Sequence, residues 1–264
     1  MKVYIIGEDK RTQNLREIYQ NESVDLSEAN VVICPIPFSK NGNIINNSNV
    51  YVDSLIESIK GTNKILVSGA IRKDVMEKLK ENNIDVIDLM NYEDFSIKNA
   101  AATSEGAIKK AIEMTDFTLN NSNILILGFG RIGKCLARNL SGFGANIYCE
   151  ARKKRDIALI RTMGYNDVEL KDIKSILPKM DIIFNTVPSI ILDKEKIDLL
   201  KKSVCVIDLA SAPGGVDFEY LYQKRINTSW YLAIPSKDSP YTAALYIKET
   251  LENILGEDDN GRKD

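Results

Sequence analysis

The chain has 264 residues, 44% hydrophobic, 27% charged and 7% aromatic, an ordinary globular composition for one or two domains. Its 35 Lys and Arg stand against 37 Asp and Glu, so a net charge of −2 provides no field that would draw it to nucleic acid or an acidic membrane surface. Histidine is absent, which excludes Ser-His-Asp and Cys-His catalysis, His-based zinc sites and any hydroxy-acid dehydrogenase that depends on a His acid/base. Proton transfer is left to Lys, Asp, Glu, Tyr, Cys or water.

MKVYIIGEDK has no long apolar run and no cleavage pattern, and it reads as a first strand at 2–6 rather than a leader. Asp9 is placed to cap a helix over 10–20 with Leu15, Ile18 and Tyr19 on one face. A strand over 30–37 is stopped by prolines, and the Asn- and Ser-rich stretch 39–49 reads as a loop. Helix 51–59, strand 64–69, helix 72–82 and strand 84–90 follow. A long helix over 99–118 is ended by Asn120-Asn121-Ser122. Beyond it, strands are predicted at 123–127, 145–149, 181–186, 204–209 and 228–232, with helices between, and SPYTAALYIKETLENIL (239–255) forms a last amphipathic helix.

Repeated strand–helix units predict an α/β fold of two doubly wound, parallel-sheet, Rossmann-like domains, the C-terminal one binding a dinucleotide. The expected division is 1–98 and 99–256, with the last helix able to return to the first domain and 257–264 a flexible tail. No apolar run reaches membrane-spanning length, and no metal site is predicted. Cys34, Cys135, Cys149 and Cys205 form no CxxC pair and read as buried, reduced thiols of a cytoplasmic protein.

The most informative stretch is ILILGFGRIGK, Ile124 to Lys134. A strand of Ile and Leu enters Gly128-Phe129-Gly130-Arg131-Ile132-Gly133 and then a helix. Gly128 permits the turn, Gly130 lets the backbone approach a pyrophosphate, and Gly133 lets the helix pack close to the strand. The helix N-terminus then faces the anion. The acid that contacts the ribose is expected at the end of the next strand, where Glu150 and Ala151 are followed by Arg152-Lys153. If the acid position falls on Ala151, the cations favour NADP; if Glu150 points at the ribose, NAD is favoured. The reading adopted is NADP, with NAD open. Two further strand ends are rich in turn and polar residues: Thr186-Val187-Pro188, and Leu209-Ala210-Ser211 followed by Gly214-Gly215. Together with the glycine turn they predict a nicotinamide and substrate cleft, and Gly214-Gly215 could present consecutive N–H groups to an anion.

With these segments placed, the chain resembles the family of dipicolinate synthase A-subunits of spore-forming bacteria. The matching stretches are IIGEDKR, TSEGAIKKAIEMTDFTLNNSNILILGFGRIG, GANIYCEARK, NTVPSIIL, IDLASAPGGVDF and PSKDSPYTAA, in order and over nearly the whole chain. NTVP and the Ala-Arg after the second strand are also similar to shikimate dehydrogenase. The resemblance implies oxidation of 2,3-dihydrodipicolinate to dipicolinate in the mother-cell cytoplasm. It also implies a partner, the flavoprotein-like B-subunit of dipicolinate synthase, and homologous folds often form homo-oligomers.

A dicarboxylate substrate needs donors. The candidates are Lys237, Ser239 and Thr242, the Ser211 hydroxyl with the Gly214-Gly215 backbone, and Thr103 with Ser104. Lys237 reads equally as a solvated loop lysine, Thr103 and Ser104 equally as a helix cap, and Glu105 as a base or a supporting residue. Two alternatives stay open. One is a cofactor-binding scaffold whose catalysis lies in a flavoprotein partner. The other is a shikimate-dehydrogenase-like NADP reductase, for which the surroundings of Lys40, Lys60 and Lys64 show no catalytic Lys/Asp motif.

Overall fold

The computed structural model describes residues 1–261, with the backbone alone for 257–261. The chain divides into two compact units: Met1–Asn99 with Pro235 onward, and Ala100–Ile234. All strand pairs within both sheets are parallel.

The first unit carries strands β1 (Val3–Ile5), β2 (Val31–Ile33), β3 (Ile65–Ser68) and β4 (Asp85–Asp88), hydrogen-bonded in that order. Val3 also bridges Ser23 on its other side. The chain therefore leaves β1 toward residues 22–24 at one edge, then returns to lay β2 on the opposite side of β1. Helix α1 (Lys10–Ile18) is capped by Asp9, which accepts from Thr12 N at 2.9 Å. Helices α2 (Val52–Ile59) and α3 (Lys73–Glu81) follow. Side chains alternate across the sheet as strand geometry requires. Val31 and Ile33 pack with Leu15 and Tyr19, whereas Val32 and Cys34 pack with Leu55, Ile56 and Ile59. The strand expected over 30–37 ends at Ile33, because Pro35 and Pro37 have no N–H to continue a ladder.

Helix α4 (Glu93–Met114) starts six residues ahead of the expected 99, with Glu93 and Asp94 at its positive end, and stops four residues ahead of the expected 118. The second unit then carries β5 (Asn123–Leu127), α5 (Arg131–Ser141), β6 (Asn146–Glu150), α6 (Lys154–Thr162), β7 (Asn166–Val168), β8 (Ile182–Asn185), α7 (Lys194–Ile197), β9 (Cys205–Asp208), α8 (Phe218–Gln223) and β10 (Asn227–Trp230). Its strand order is β10-β9-β8-β5-β6-β7, so the order reverses between β5 and β8. The short edge strand β7 is not among the expected elements. Ile124 and Ile126 face a core with Leu136 and Leu140 of α5, and Leu125 and Leu127 face one with Val168, Ile173 and Leu177. Burial on both faces explains why β5 is a continuous apolar run.

After a short helix α9 (Ile234–Asp238), the last helix α10 (Pro240–Gly261) opens on a proline, which suits the first helical position. Its Ala244, Ile247 and Leu251 join the core with Val3, Ile5 and Tyr19. The helix runs past the expected end at 255 and through 257–261, where a flexible tail is predicted, since no proline interrupts it; residues 262–264 of that predicted tail lie outside the described residues. Among the described residues, no helix is long and apolar enough to cross a membrane, and no group of three or more His, Cys, Asp or Glu could hold a metal ion.

Candidate functional site

The glycine turn follows β5 at the reversal of strand order, the place where ligands enter doubly wound sheets. Its three glycines have different physical reasons. Gly128 lies at φ +90°, and a Cβ there would meet Thr186 Oγ1 at 2.6 Å and Val187 Cγ2 at 2.7 Å. A Cβ on Gly133 would meet the Gly128 carbonyl at 2.1 Å. Gly130 is different: it is exposed, its φ is −80°, and no atom stands within 4 Å of where a Cβ would be. The fold needs the first and last glycines; the middle one leaves open space above the turn. Gly130 is also the N-cap of α5, where no side chain caps the helix and no acid occupies the first turn. An anion therefore meets the positive end of the helix without competition from a carboxylate. Phe129 is buried beneath the turn, with Lys134 Nζ 5.8 Å from its ring centre, Ile132 is half-buried, and Arg131 is exposed.

At the end of β6, Glu150 is only 2% exposed. Its carboxylate faces the Gly128 N–H, and its Oε1 has no hydrogen-bond partner. Burial raises its proton affinity above the ordinary glutamate range, against the opposing pull of Arg152 and the Gly128 N–H. Ala151 is buried next to it, and Arg152 and Lys153 are exposed.

The loops after β8 and β9 are joined by a network that sequence reasoning did not identify. Asn185 and Asp208 are register partners at the last positions of their strands, and both are fully buried. Asp208 Oδ1 accepts Asn185 Nδ2 at 2.7 Å and Ala210 N at 2.9 Å, while its Oδ2 accepts Gly215 N at 2.7 Å. Asn185 also donates to Val187 O at 2.9 Å and accepts Val187 N at 3.2 Å. Trp230 Nε1 donates to Ala210 O at 2.8 Å, and its ring stacks on Phe218. The available signal was that two adjacent apolar strands, IIFN and CVID, end in an amide and a carboxylate at the same offset.

This network corrects the anion-nest expectation. Gly214 N already donates to Ser211 O at 2.9 Å and Gly215 N to Asp208, so neither N–H is left for a substrate. Ser211 remains on the exposed tip of that loop, whereas Leu209 and Ala210 are buried. Thr186 Oγ1 donates to Leu127 O at 2.9 Å and ties the β8 loop to the glycine turn; Val187 is half-buried beside it and Pro188 is exposed.

The TSEG residues are also placed differently from expectation. Thr103 and Ser104 are buried in the middle of α4, not at its start, so the helix-cap alternative is overturned. Ser104 Oγ donates to Ala101 O and accepts Asn139 Nδ2, both at 2.8 Å, which ties α4 to α5 and leaves no O–H donor for a substrate carboxylate. Glu105 lines a shallow depression of about 430 Å³ with Ile108, Lys109, Ile112, Asn139 and Phe143. Asn139 stands about 14 Å along α5 from Gly130, so Glu105 is at the far end of that helix from the turn and is no base for chemistry there. Lys237, Ser239 and Thr242 belong to the first unit: Lys237 is exposed, Thr242 is half-buried, and the Ser239 hydroxyl is sealed from solvent without a hydrogen-bond partner.

The NAD binding domain family of D-isomer specific 2-hydroxyacid dehydrogenases matches residues 86–223. The A-subunit of dipicolinate synthase from Bacillus subtilis (strain 168) is 31% identical over 191 residues, which cover 72% of this chain and 63% of that relative's length. The crystal structure of the dipicolinate synthase A-subunit from Bacillus halodurans superposes with a TM-score of 0.87 at 26% identity, covering 96% of this chain and 97% of that one. D-lactate dehydrogenase from Escherichia coli shares the fold at a TM-score of 0.65 and 15% identity, over 98% of each chain. The chain therefore belongs to the D-isomer specific 2-hydroxyacid dehydrogenase family through its NAD-binding domain, and it is similar to the A-subunit of dipicolinate synthase over nearly its whole length.

Proposed function

We propose that this chain oxidises 2,3-dihydrodipicolinate to dipicolinate in the mother-cell cytoplasm of a sporulating bacterium, as the A-subunit of a two-component dipicolinate synthase. The likeness to dipicolinate synthase A-subunits carries this reading. The proposed assembly is a homo-oligomer working with the flavoprotein-like B-subunit, without nucleic acid or membrane. The substrate gives up a hydride and a proton, and the aromatic ring that forms supplies much of the driving force. When bound, a nicotinamide dinucleotide would supply the two-electron acceptor. The turn at 128–133 and the start of α5 would hold its pyrophosphate, and the β8 and β9 loops would shape the space that positions the reacting carbon and excludes water. No strong base is required, which agrees with a chain that has no histidine.

The proposed cofactor is NADP. Glu150 turns its carboxylate under the turn toward Gly128 N, and the next exposed side chains are Arg152 and Lys153, which suit a 2′-phosphate. The unpartnered Glu150 Oε1 favours a second reading, NAD, by offering an acceptor to a ribose hydroxyl. Replacing Arg152 and Lys153 by Ala together should cost NADP about 10-fold or more in affinity and leave NAD unchanged. Equal losses for both would place the basic pair outside the nucleotide site.

The deciding experiment mixes the purified chain with fresh dihydrodipicolinate and NADP⁺ or NAD⁺, and follows reduced nicotinamide. Turnover by the chain alone makes it self-sufficient. Turnover only after the flavoprotein-like partner is added supports the scaffold alternative. No reduction in either mixture refutes the reading.

A further inference from the structure

The first unit has its own reversal of strand order. The chain runs from β1 to residues 22–24 on one side and back to β2 on the other. Ligands of such sheets bind beyond the carboxyl ends of the strands that flank the reversal. Here those ends are Gly7–Asp9 after β1 and Cys34–Phe38 after β2.

Arg11, in the first turn of α1, is folded into this corner and is only 4% exposed. Its Nη2 donates to the Ile36 carbonyl at 2.7 Å, and its Nε is sealed from solvent with no acceptor. A guanidinium carries five N–H donors. Burying that charge against a neutral carbonyl is unfavourable unless an anion pairs with it. Asp9 is the acid whose field reaches it, but the two form no ion pair: Asp9 instead accepts Thr12 N at 2.9 Å and Asn47 Nδ2 at 2.8 Å. Burial outweighs that field and lowers the proton affinity of Arg11.

The surrounding corner is stiff. Gly7 sits at φ +118° with Pro35 Cγ 2.8 Å from the place of a Cβ, and Ser68 Oγ donates to Pro35 O at 2.6 Å. Arg16 Nη2 holds the Gly7 and Ile5 carbonyls at 2.6 and 3.1 Å. These contacts fix the walls; none supplies a counter-anion. A mere tether for Ile36 would not need a delocalised, buried cation.

We propose that Arg11 anchors an anion-binding site at the β1 and β2 strand ends, and that its ligand is a small dicarboxylate. The choice of a carboxylate rests on the dihydrodipicolinate reading; the anion site does not.

The test uses the full chain and three probes: dipicolinate, succinate and phosphate, titrated calorimetrically. Arg11→Met keeps the apolar stem and removes the charge. Wild-type chain should bind dipicolinate, and the variant should bind it about 10-fold or more weakly, with dinucleotide affinity unchanged. Equal dipicolinate affinity in the two overturns the Arg11 site and leaves the dehydrogenase reading standing. Arg11-dependent binding of succinate or phosphate without dipicolinate supports the site and removes the substrate reading. Binding of none of the three to the wild type overturns the site. Should Arg11→Met fail to fold, hydrogen exchange on the wild type decides. Slower exchange at residues 7–12 and 35–38 with a probe supports the site, and unchanged exchange there overturns it.

Discussion

Replacing Gly130 by Ala separates what the fold needs from what a ligand needs. In the protein itself the change meets nothing within 4 Å, and φ −80° is accessible to any residue. Removing a glycine from the unfolded chain stabilises the fold by about 0.4–1 kcal/mol, but Ala is a poorer N-cap than Gly by a similar amount, so the ligand-free stability should change by less than about 1 kcal/mol. With a dinucleotide held as proposed, the added methyl would lie where the backbone approaches the pyrophosphate. Overpacking of that kind costs about 1–3 kcal/mol, or about 5- to 150-fold in Kd. A dinucleotide at about 100 times the wild-type Kd stabilises by about 2.7 kcal/mol. For a loss of about 30-fold the same concentration gives about 0.9 kcal/mol. At about 2–4 °C per kcal/mol, the dinucleotide-induced rise in Tm should shrink from roughly 5–11 °C to roughly 2–4 °C. Gly133→Ala is the contrast: its Cβ would sit 2.1 Å from the Gly128 carbonyl, so its Tm should fall even without ligand. Thermal melts of both variants with and without NADP(H) measure this. A full ligand-induced shift in Gly130→Ala, or a fall in its ligand-free Tm as large as that of Gly133→Ala, would refute the argument.

Asp208→Asn should destabilise by about 2–4 kcal/mol in urea unfolding, because an amide nitrogen would face either Asn185 Nδ2 or Gly215 N, both donors; a cost under about 0.5 kcal/mol would contradict the network. Glu150 holds its proton more tightly in the folded state than in the unfolded chain, so its contribution is intact below the ordinary glutamate range, about pH 4.3, and is lost as pH rises through the folded value. Glu150→Gln should therefore gain stability relative to wild type as pH rises from about 4.3 toward neutrality, and a pH-independent difference would disprove the assignment. Burial pushes the thiols of Cys149 and Cys205 up to about 12, so neither should react with an aromatic disulfide reagent at neutral pH until the protein unfolds, with half-buried Cys135 reacting first.

Much of the fold can be read from the chain because parallel strands buried on both faces are written as uninterrupted apolar runs. The predicted strand over 123–127 coincides with β5, and the other strands predicted for that sheet deviate by one or two residues at either end. β7 is not legible because its three residues, two of them polar, carry no such run. Nor is the start of α4, because Tyr92–Phe95 shows no apolar period; its acids act through the helix dipole instead. Within the candidate site, the glycine turn is visible as a local motif. The pairing of Asn185 with Asp208 is not, since it depends on the register of strands 23 residues apart in sequence. The same gap explains the Gly214-Gly215 error: a sequence shows two flexible N–H groups but not the carboxylate that has already engaged one of them. Ser104 misleads for a related reason, because its partner, Asn139, sits on another helix.

The buried Asp208 carboxylate gives the β8 and β9 loops a common keel. A shift of either loop base breaks bonds in the other, so the bases move as one rigid piece or not at all. Variation in chemistry is then confined to what rides above the waterline, Pro188 to Ile190 and Ser211 to Pro213, which are exposed. A lineage, or an engineer, can re-equip those tips one residue at a time for a new substrate, whereas Asn185, Asp208 and Gly215 have to change together or stay as they are.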